Sequence, residues 1–400
     1  MQVTLIGLGG GSAGTMTAEA AEALRDAQQV IGAARLLESL PADCTAQRVA
    51  AVRYTDILDI LKRSEGKRSC VVYSGDTGFY SGTRGLLPLL EQEGIPARVL
   101  PGISSVQLLS ARLGRPWHEW KLVSAHGVDC DPVTAVMDGK PVFFLTGGAL
   151  TPTELCQQLT EAGLGCLPVT VGENLSYDEE RILTGTAEEF AGRTFAVLSV
   201  LLAEAAPETV RLSSGMDDER FTRGKVPMTK QEVRAAILGK LALRPTDVVW
   251  DVGAGTGSVS VEMALAAYRG RVYAVECNPE GCALIETNKR RFGAWNLKTV
   301  EGKAPAALEL LPAPDAVFIG GTKGSMEPVL DCILDKNPDA RICVSAIAVE
   351  TLGAAVSALT ARGMEVEVTQ IAVSRSKPAG RLHLMMANNP IFLITGGRHA

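Results

Sequence analysis

The chain has 400 residues, 46% of them hydrophobic and 21% charged, with a mean hydropathy of +0.14. That length and mixture suit two or three domains with sizeable cores and exclude a mainly disordered chain. A net charge of −6, a pI near 5.5 and only 5% aromatic residues leave neither a basic footprint nor a stacking platform, so no nucleic-acid partner is expected. The 41 glycines exceed the roughly 7% share of an average chain and are expected in loops. The nine cysteines contain no C-x-x-C pair, several lie in apolar runs such as SCVVYSG (69–75), and there are only four histidines. Buried thiols in a reducing cytoplasm are expected, with no metal site. The opening MQVTLIGLGGG has no basic leader, and no run reaches roughly 18 apolar residues, so no membrane partner is expected.

In chain order, VTLIG (3–7) reads as a strand, 16–28 as a helix, 70–75 as a strand and 82–93 as a helix. Strands follow at 97–100, 120–124, 141–145, 168–172 and 195–202, with helices at 104–113 and 151–162. The pattern lapses over about 203–227, which divides the chain into domains 1–205 and 206–400. A second alternation begins with a helix in MTKQEVRAAILGKL (228–241) and a strand at 247–253, followed by a helix through 267. Strands RVYAVE (271–276), AVFIGG (316–321) and RICVSAIAV (341–349) alternate with helices at 279–292, 325–335 and 349–362. The segments 364–375 and 381–395 lack an intervening helix and predict an antiparallel closing pair. The fold class is α/β in both domains.

Asp251, Gly253, Gly255, Thr256, Gly257 and Ser258 lie between a strand and a helix. Glycines there let backbone approach a ligand closely. Ser258 stands where a third dinucleotide-fingerprint glycine would be, which disfavours an NAD-dependent oxidoreductase. Glu276, at the end of the next strand, suits ribose hydroxyls, and an acidic site suits a sulfonium cation. This D-x-G-x-G-x-G plus Glu pattern resembles class I S-adenosylmethionine-dependent methyltransferases. Together with MTKQEVR (228–234), VYAVECN (272–278), APAALELLPAPDAVFIGG (304–321) and NPIFLITG (389–396), it resembles the C15-methylating, decarboxylating family of cobalamin biosynthesis. That resemblance implies cofactor contacts at Thr229 and at the backbone of Ala304, in a stretch Gly302-Lys303-Ala304-Pro305 where the family often carries Gly-Asp-Ala-Pro.

In the first domain, GLGGGSAG (7–14), GDTGFYSG (75–82), PGISSVQ (101–107), SAHG (124–127), LTGG (145–148) and VGENLSYDEERI (171–182) resemble the tetrapyrrole methylase family, most closely its C5-methylating member. The implied fold is a two-lobed tetrapyrrole methylase domain followed by a Rossmann-like class I methyltransferase domain. The implied cofactor is S-adenosylmethionine, one site per domain, held in the first by Gly9, Gly75, Asp76, Ser104, Ser105 and Thr146. Ser104 and Ser105 also suit a helix start, where exposed amides take a carboxylate.

The resemblance implies methylation of precorrin-6Y at C5 and C15 with decarboxylation of the C12 acetate, giving precorrin-8. Alternatives are the cobalt-containing substrate of the anaerobic route, an NAD-dependent oxidoreductase and an adenine-nucleotide sensor. Asp76, Tyr80 and Lys230 are the candidate catalytic residues. Because the tetrapyrrole carries many carboxylates, Arg223, Lys225, Lys230 and Arg234 are candidates for binding it, with His126 in the first domain. Lys230 and Arg234, four residues apart on a helix, are expected to share one side. Lys323 is a lesser candidate, and His399 is expected to be inert. Related domains self-associate, so a homo-oligomer is expected.

Overall fold

The computed structural model describes residues 2–64, 67–127, 130–207, 214–322 and 324–397; Lys323 and His399 lie outside them. Two compact units form, unit 1 from 1–130, 140–160 and 165–204, and unit 2 from 131–139, 161–164 and 205–400.

Unit 1 holds two five-stranded sheets. The first orders β1 (Gln2–Gly7), β2 (Gln29–Gly32), β3 (Gln47–Ala50), β4 (Arg68–Tyr73) and β5 (Ala97–Leu100) as β3-β2-β4-β1-β5, all parallel. β1 is buried at all but its first residue, as a parallel strand covered on both faces should be. The second sheet orders β6 (Lys121–Ser124), β7 (Val142–Leu145), β8 (Pro168–Glu173), β9 (Arg181–Thr186) and β10 (Ser199–Ala203) as β6-β7-β10-β8-β9. Only its β6–β7 pair is parallel. The helix Ser105–Leu113 starts at a capping box in which Gln107 Oε1 accepts from the Ser104 N–H at 2.8 Å, and it stops at Gly114 (φ 62).

Unit 2 is built on a seven-stranded sheet. Its parallel part comprises β11 (Val248–Val252), β12 (Arg271–Glu276), β13 (Leu297–Glu301), β14 (Ala316–Ile319) and β15 (Arg341–Ala346). Further along the chain come β16 (Glu365–Ile371), the hairpin β17 (Ser374–Ala379) and β18 (Leu382–Ala387), and β19 (Ile391–Gly397). The order is β13-β12-β11-β14-β15-β19-β16, with β19 antiparallel to both neighbours. Alternate residues of β11 serve opposite faces. Val249 joins a core with Ile237, Val272 and Phe318, whereas Trp250 packs with Val317, Leu330 and Leu359.

The expected two-stranded closing pair is therefore four strands. β16 and β19 do pair antiparallel, but β17 and β18 form a separate ribbon between them, turning at Gly380 (φ 62). The ribbon carries no buried apolar face to announce it: β17 reads SRSKPA and β18 is exposed throughout.

Among the described residues no helix is long and apolar enough to cross a membrane, and no cluster of His, Cys, Asp or Glu is placed to hold a metal ion. No disulfide joins the cysteines.

Candidate functional site

Among the described residues, each unit has a glycine-rich cavity where its parallel strands end. In unit 1 the loops after β1, β4 and β5 cross so closely that side chains are excluded. A Cβ on Gly102 would lie 2.2 Å from the Gly75 oxygen and 2.6 Å from the Gly7 oxygen. Gly9 and Gly75 exchange backbone hydrogen bonds at 3.1 and 2.9 Å. Asp76 stitches the islands together, its Oδ2 accepting from the Gly78 N–H at 3.0 Å and its Oδ1 from the Gly102 N–H at 3.1 Å. The adjoining cavity, about 380 Å³, is of ordinary ligand-site size. Gly9, Gly75, Asp76, Tyr80, Ser104, Ser105, His126 and Thr146 all line it. All eight residues proposed for this domain thus meet at one place.

Their local contacts refine what each can do. Both Asp76 oxygens hold backbone amides, so its carboxylate shapes the loops. Tyr80 is 54% exposed with φ 48, and its hydroxyl donates to the Leu122 carbonyl at 3.1 Å. Thr146 Oγ1 donates to the Ser199 carbonyl at 2.5 Å, and His126 Nδ1 lies 3.4 Å from the Thr146 carbonyl. Asn174 (φ 49) and Ser176 (φ 74) flank the cavity-lining Leu175, so left-handed non-glycine backbone occurs on two sides of the cavity. Such strain tends to collect at binding sites. Arg35, Tyr177 and Leu198 line the cavity without having been anticipated.

In unit 2 the loop after β11 faces a cavity of about 570 Å³ lined by Thr229, Lys230, Asp251, Gly253, Gly255, Glu276 and Ala304. Gly253 (φ 77) is needed because a Cβ there would lie 2.6 Å from the Gly321 oxygen. Glu276 closes the loop, its Oε2 accepting from Gly255 N–H and its Oε1 from Cys277 and Asn278 N–H, each at 2.8 Å. Thr256, Gly257 and Ser258 do not line the cavity; Thr256 and Ser258 are buried, and Gly257 (φ 74) abuts Ile285 as the cap of helix Ser258–Ala266. They set the loop's shape. Lys303, Thr322, Ser345, Asn388 and Asn389 complete the wall, and no spacing rule pointed to them.

Asp251 is fully buried, with Oδ2 accepting from the Ser260 hydroxyl and Oδ1 without a partner among the described residues. Burial first, then the nearby Glu276 charge, pushes its pKa up to about 7. An acceptor left unpaired at a cavity wall fits a cationic group of a ligand. The unfolded carboxyl ionises near 4 and the folded one near 7, so between those values the native state holds the extra proton. Unit 2 is expected to lose stability as pH rises through that window, on the order of 4 kcal/mol in all. Chemical denaturation at pH 5 and pH 8 checks this, and Asp251→Asn is expected to flatten the dependence.

The basic cluster needs correction. Lys230 reaches the cavity wall, but Arg234 does not: it is fully buried, donating from Nε to Glu262 Oε1 and from an Nη to Asp218 Oδ1, both at 2.8 Å. It donates also to the Thr229 and Met216 carbonyls and lies over the Phe221 ring, 4.7 Å from its centroid. Arg234 is a buried structural cation, while Lys230 is exposed. Lys230 immediately precedes the helix Gln231–Leu241, whereas Arg234 is inside it and faces the core. Arg223 and Lys225 lie off the cavity wall; Arg223 pairs with Glu219 at 3.1 Å, and the Lys225 N–H donates to Glu280 at 2.8 Å.

Residues 2–191 match the Tetrapyrrole (Corrin/Porphyrin) Methylases family and residues 219–396 match the Precorrin methyltransferase domain. The chain is 35% identical over 341 residues to a Sinorhizobium protein named precorrin-6Y C(5,15)-methyltransferase [decarboxylating], covering 83% of this chain and 81% of that one. This chain belongs to the decarboxylating precorrin-6Y C5,15-methyltransferase family. A Pyrobaculum calidifontis relative, a probable cobalt-precorrin-6B C(15)-methyltransferase (decarboxylating), is 44% identical over 184 residues, 45% of this chain and 94% of that protein. A Geobacter metallireducens structure titled precorrin-6Y C5,15-methyltransferase covers 47% of this chain and 98% of its own, at 38% identity and a TM-score of 0.45. The family joins two methylating activities, and the two cavities lie in separate units, each at the ends of parallel strands where α/β sheets take ligands.

Proposed function

We propose that this decarboxylating methyltransferase carries one S-adenosylmethionine site in each unit, unit 1 methylating cobalt-free precorrin-6Y at C5 and unit 2 methylating C15 and removing the C12 acetate carboxyl. The observation that carries the reading is the pair of separate glycine-walled cavities, one per unit.

S-adenosylmethionine, when bound, supplies an electrophilic methyl group. In unit 2 the glycine loop would admit the nucleoside, Glu276 would accept from its ribose hydroxyls, and Asp251 would face a cationic group. In unit 1 the crossing of Gly7, Gly75 and Gly102 fixes the cofactor wall, with Ser104, Ser105 and Thr146 as polar contacts. An electron-rich meso carbon of the tetrapyrrole needs alignment and exclusion of water more than a protein nucleophile. At C12 the carbon–carboxyl bond breaks as carbon dioxide leaves, and the bonding pair enters the conjugated ring, which then takes a proton. Lys230 is placed at the cavity wall to meet a substrate carboxylate. Self-association into a homo-oligomer is part of the same proposal.

Titration calorimetry of the full chain with S-adenosylhomocysteine is expected to give two sites per chain, with no binding of NAD. One site, or competition by NAD, would remove the reading. Near pH 6 the unit 2 site is expected to release a proton on binding, because a bound cation ionises Asp251; heats measured in buffers of different ionisation enthalpy report it.

A further inference from the structure

We propose that Arg35 is the carboxylate anchor of the unit 1 cavity, receiving a peripheral acetate or propionate group of the tetrapyrrole; this rests on the assignment of C5 methylation to unit 1. Arg35 lies in the short helix Ala34–Glu38, just beyond the carboxyl end of β2. It is exposed, borders the cavity, and makes no ion pair or side-chain hydrogen bond among the described residues.

The cavity's charge inventory makes that position informative. Among the described residues lining it, Arg35 is the only lysine or arginine and Asp76 the only carboxylate. The other polar lining groups are hydroxyls, backbone amides and the His126 ring. A substrate bearing many carboxylates entering there meets the negative charge of Asp76, which its two amide contacts hold in place. One permanent cation at the wall offsets this and pulls polyanions inward, because a low-dielectric cleft concentrates the field of a lone charge. A guanidinium also offers two parallel N–H donors to a carboxylate, which fixes orientation as well as affinity. Since a meso carbon must be brought in line with a methyl group, an orienting contact on the ring's periphery acts directly on reactivity.

The test uses the full chain and three readouts. Arg35→Ala is expected to raise KM for the tetrapyrrole in C5 methyl incorporation about tenfold or more, and Arg35→Lys to recover part of that loss. Both are expected to keep two S-adenosylhomocysteine sites of unchanged affinity. The salt dependence of that KM is expected to be weaker in Arg35→Ala than in the parent, a change that a merely structural role would not produce. An unchanged KM in Arg35→Ala, or loss of a homocysteine-analogue site with it, overturns the proposal. Failure of the underlying reading looks different: the unsubstituted chain would then bind one analogue, or would keep C5 methylation when the unit 1 glycine crossing is blocked.

Discussion

Replacing Arg234 with methionine is expected to destabilise unit 2 by about 3–5 kcal/mol, the range seen when one partner of a buried ion network is removed. Asp218 and Glu262 are both buried, and each gives a carboxylate oxygen to this guanidinium at 2.8 Å. Without it, Glu262 retains the Gly215 and Met216 amides and Asp218 retains Arg375 at 3.1 Å, yet the enclosed negative charges lose their shared cation. Burial pushes the Asp218 pKa up, but the hydrogen bond and charge of Arg234, together with the charges of Arg375 and Lys230, outweigh it and hold the carboxyl below its ordinary range. This contribution is therefore complete above the unfolded value near 4 and fades as pH falls through the lower folded value. At pH 7 the variant's unit 2 transition is expected to fall on the order of 10 °C in scanning calorimetry. An unmoved transition with weakened tetrapyrrole binding would instead return Arg234 to the substrate-facing role suggested by its spacing from Lys230.

Gly102→Ala is expected to remove one of the two S-adenosylhomocysteine sites and to lower C5 methylation at least about 100-fold, the scale associated with a 1 Å misplacement of reacting groups. The added carbon would sit 2.2 Å from the Gly75 oxygen and 2.6 Å from the Gly7 oxygen. Neither neighbour is a flexible side chain that could swing away, so the three loops must separate. That separation also pulls the Gly102 amide from Asp76 Oδ1. Carbon-13 methyl groups delivered from labelled cofactor distinguish C5 from C15 in the product. Undiminished C5 label would place that methylation outside unit 1.

The glycine islands were legible because they are local: a strand end, a turn and a helix start lie within eight or ten residues. All eight unit 1 candidates consequently converge on one cavity. Glu276 was legible for the same reason, ending β12 as anticipated. Arg234 was misread because helical spacing gives adjacency along an axis but not which flank faces the core. Its burial depends on Asp218 and Glu262, 16 residues before it and 28 after it. Arg35 and Asn388 escaped notice because topology, not spacing, brings them to the cavity walls. Among the strands, β2, β3, β9, β13 and β17 were missed, and so were the helix Tyr54–Arg63 and the short helices Ala34–Glu38, Pro132–Val136 and Ala187–Phe190. β13 alternates weakly and β3 is almost wholly exposed, so neither carries the apolar signature of a central strand.

The ribbon of β17 and β18 leaves the seven-stranded sheet after β16 and returns to it through β19. At its base Asn388 N–H donates to the Val373 carbonyl at 2.9 Å, and Asn388 and Asn389 line the unit 2 cavity. Arg375 ties the ribbon to Glu232 at 2.9 and 2.7 Å. Arg375 also meets Asp218 at 3.1 Å, so the ribbon and the buried Arg234 share one carboxylate and a change at the ribbon's start is felt in the buried ion network.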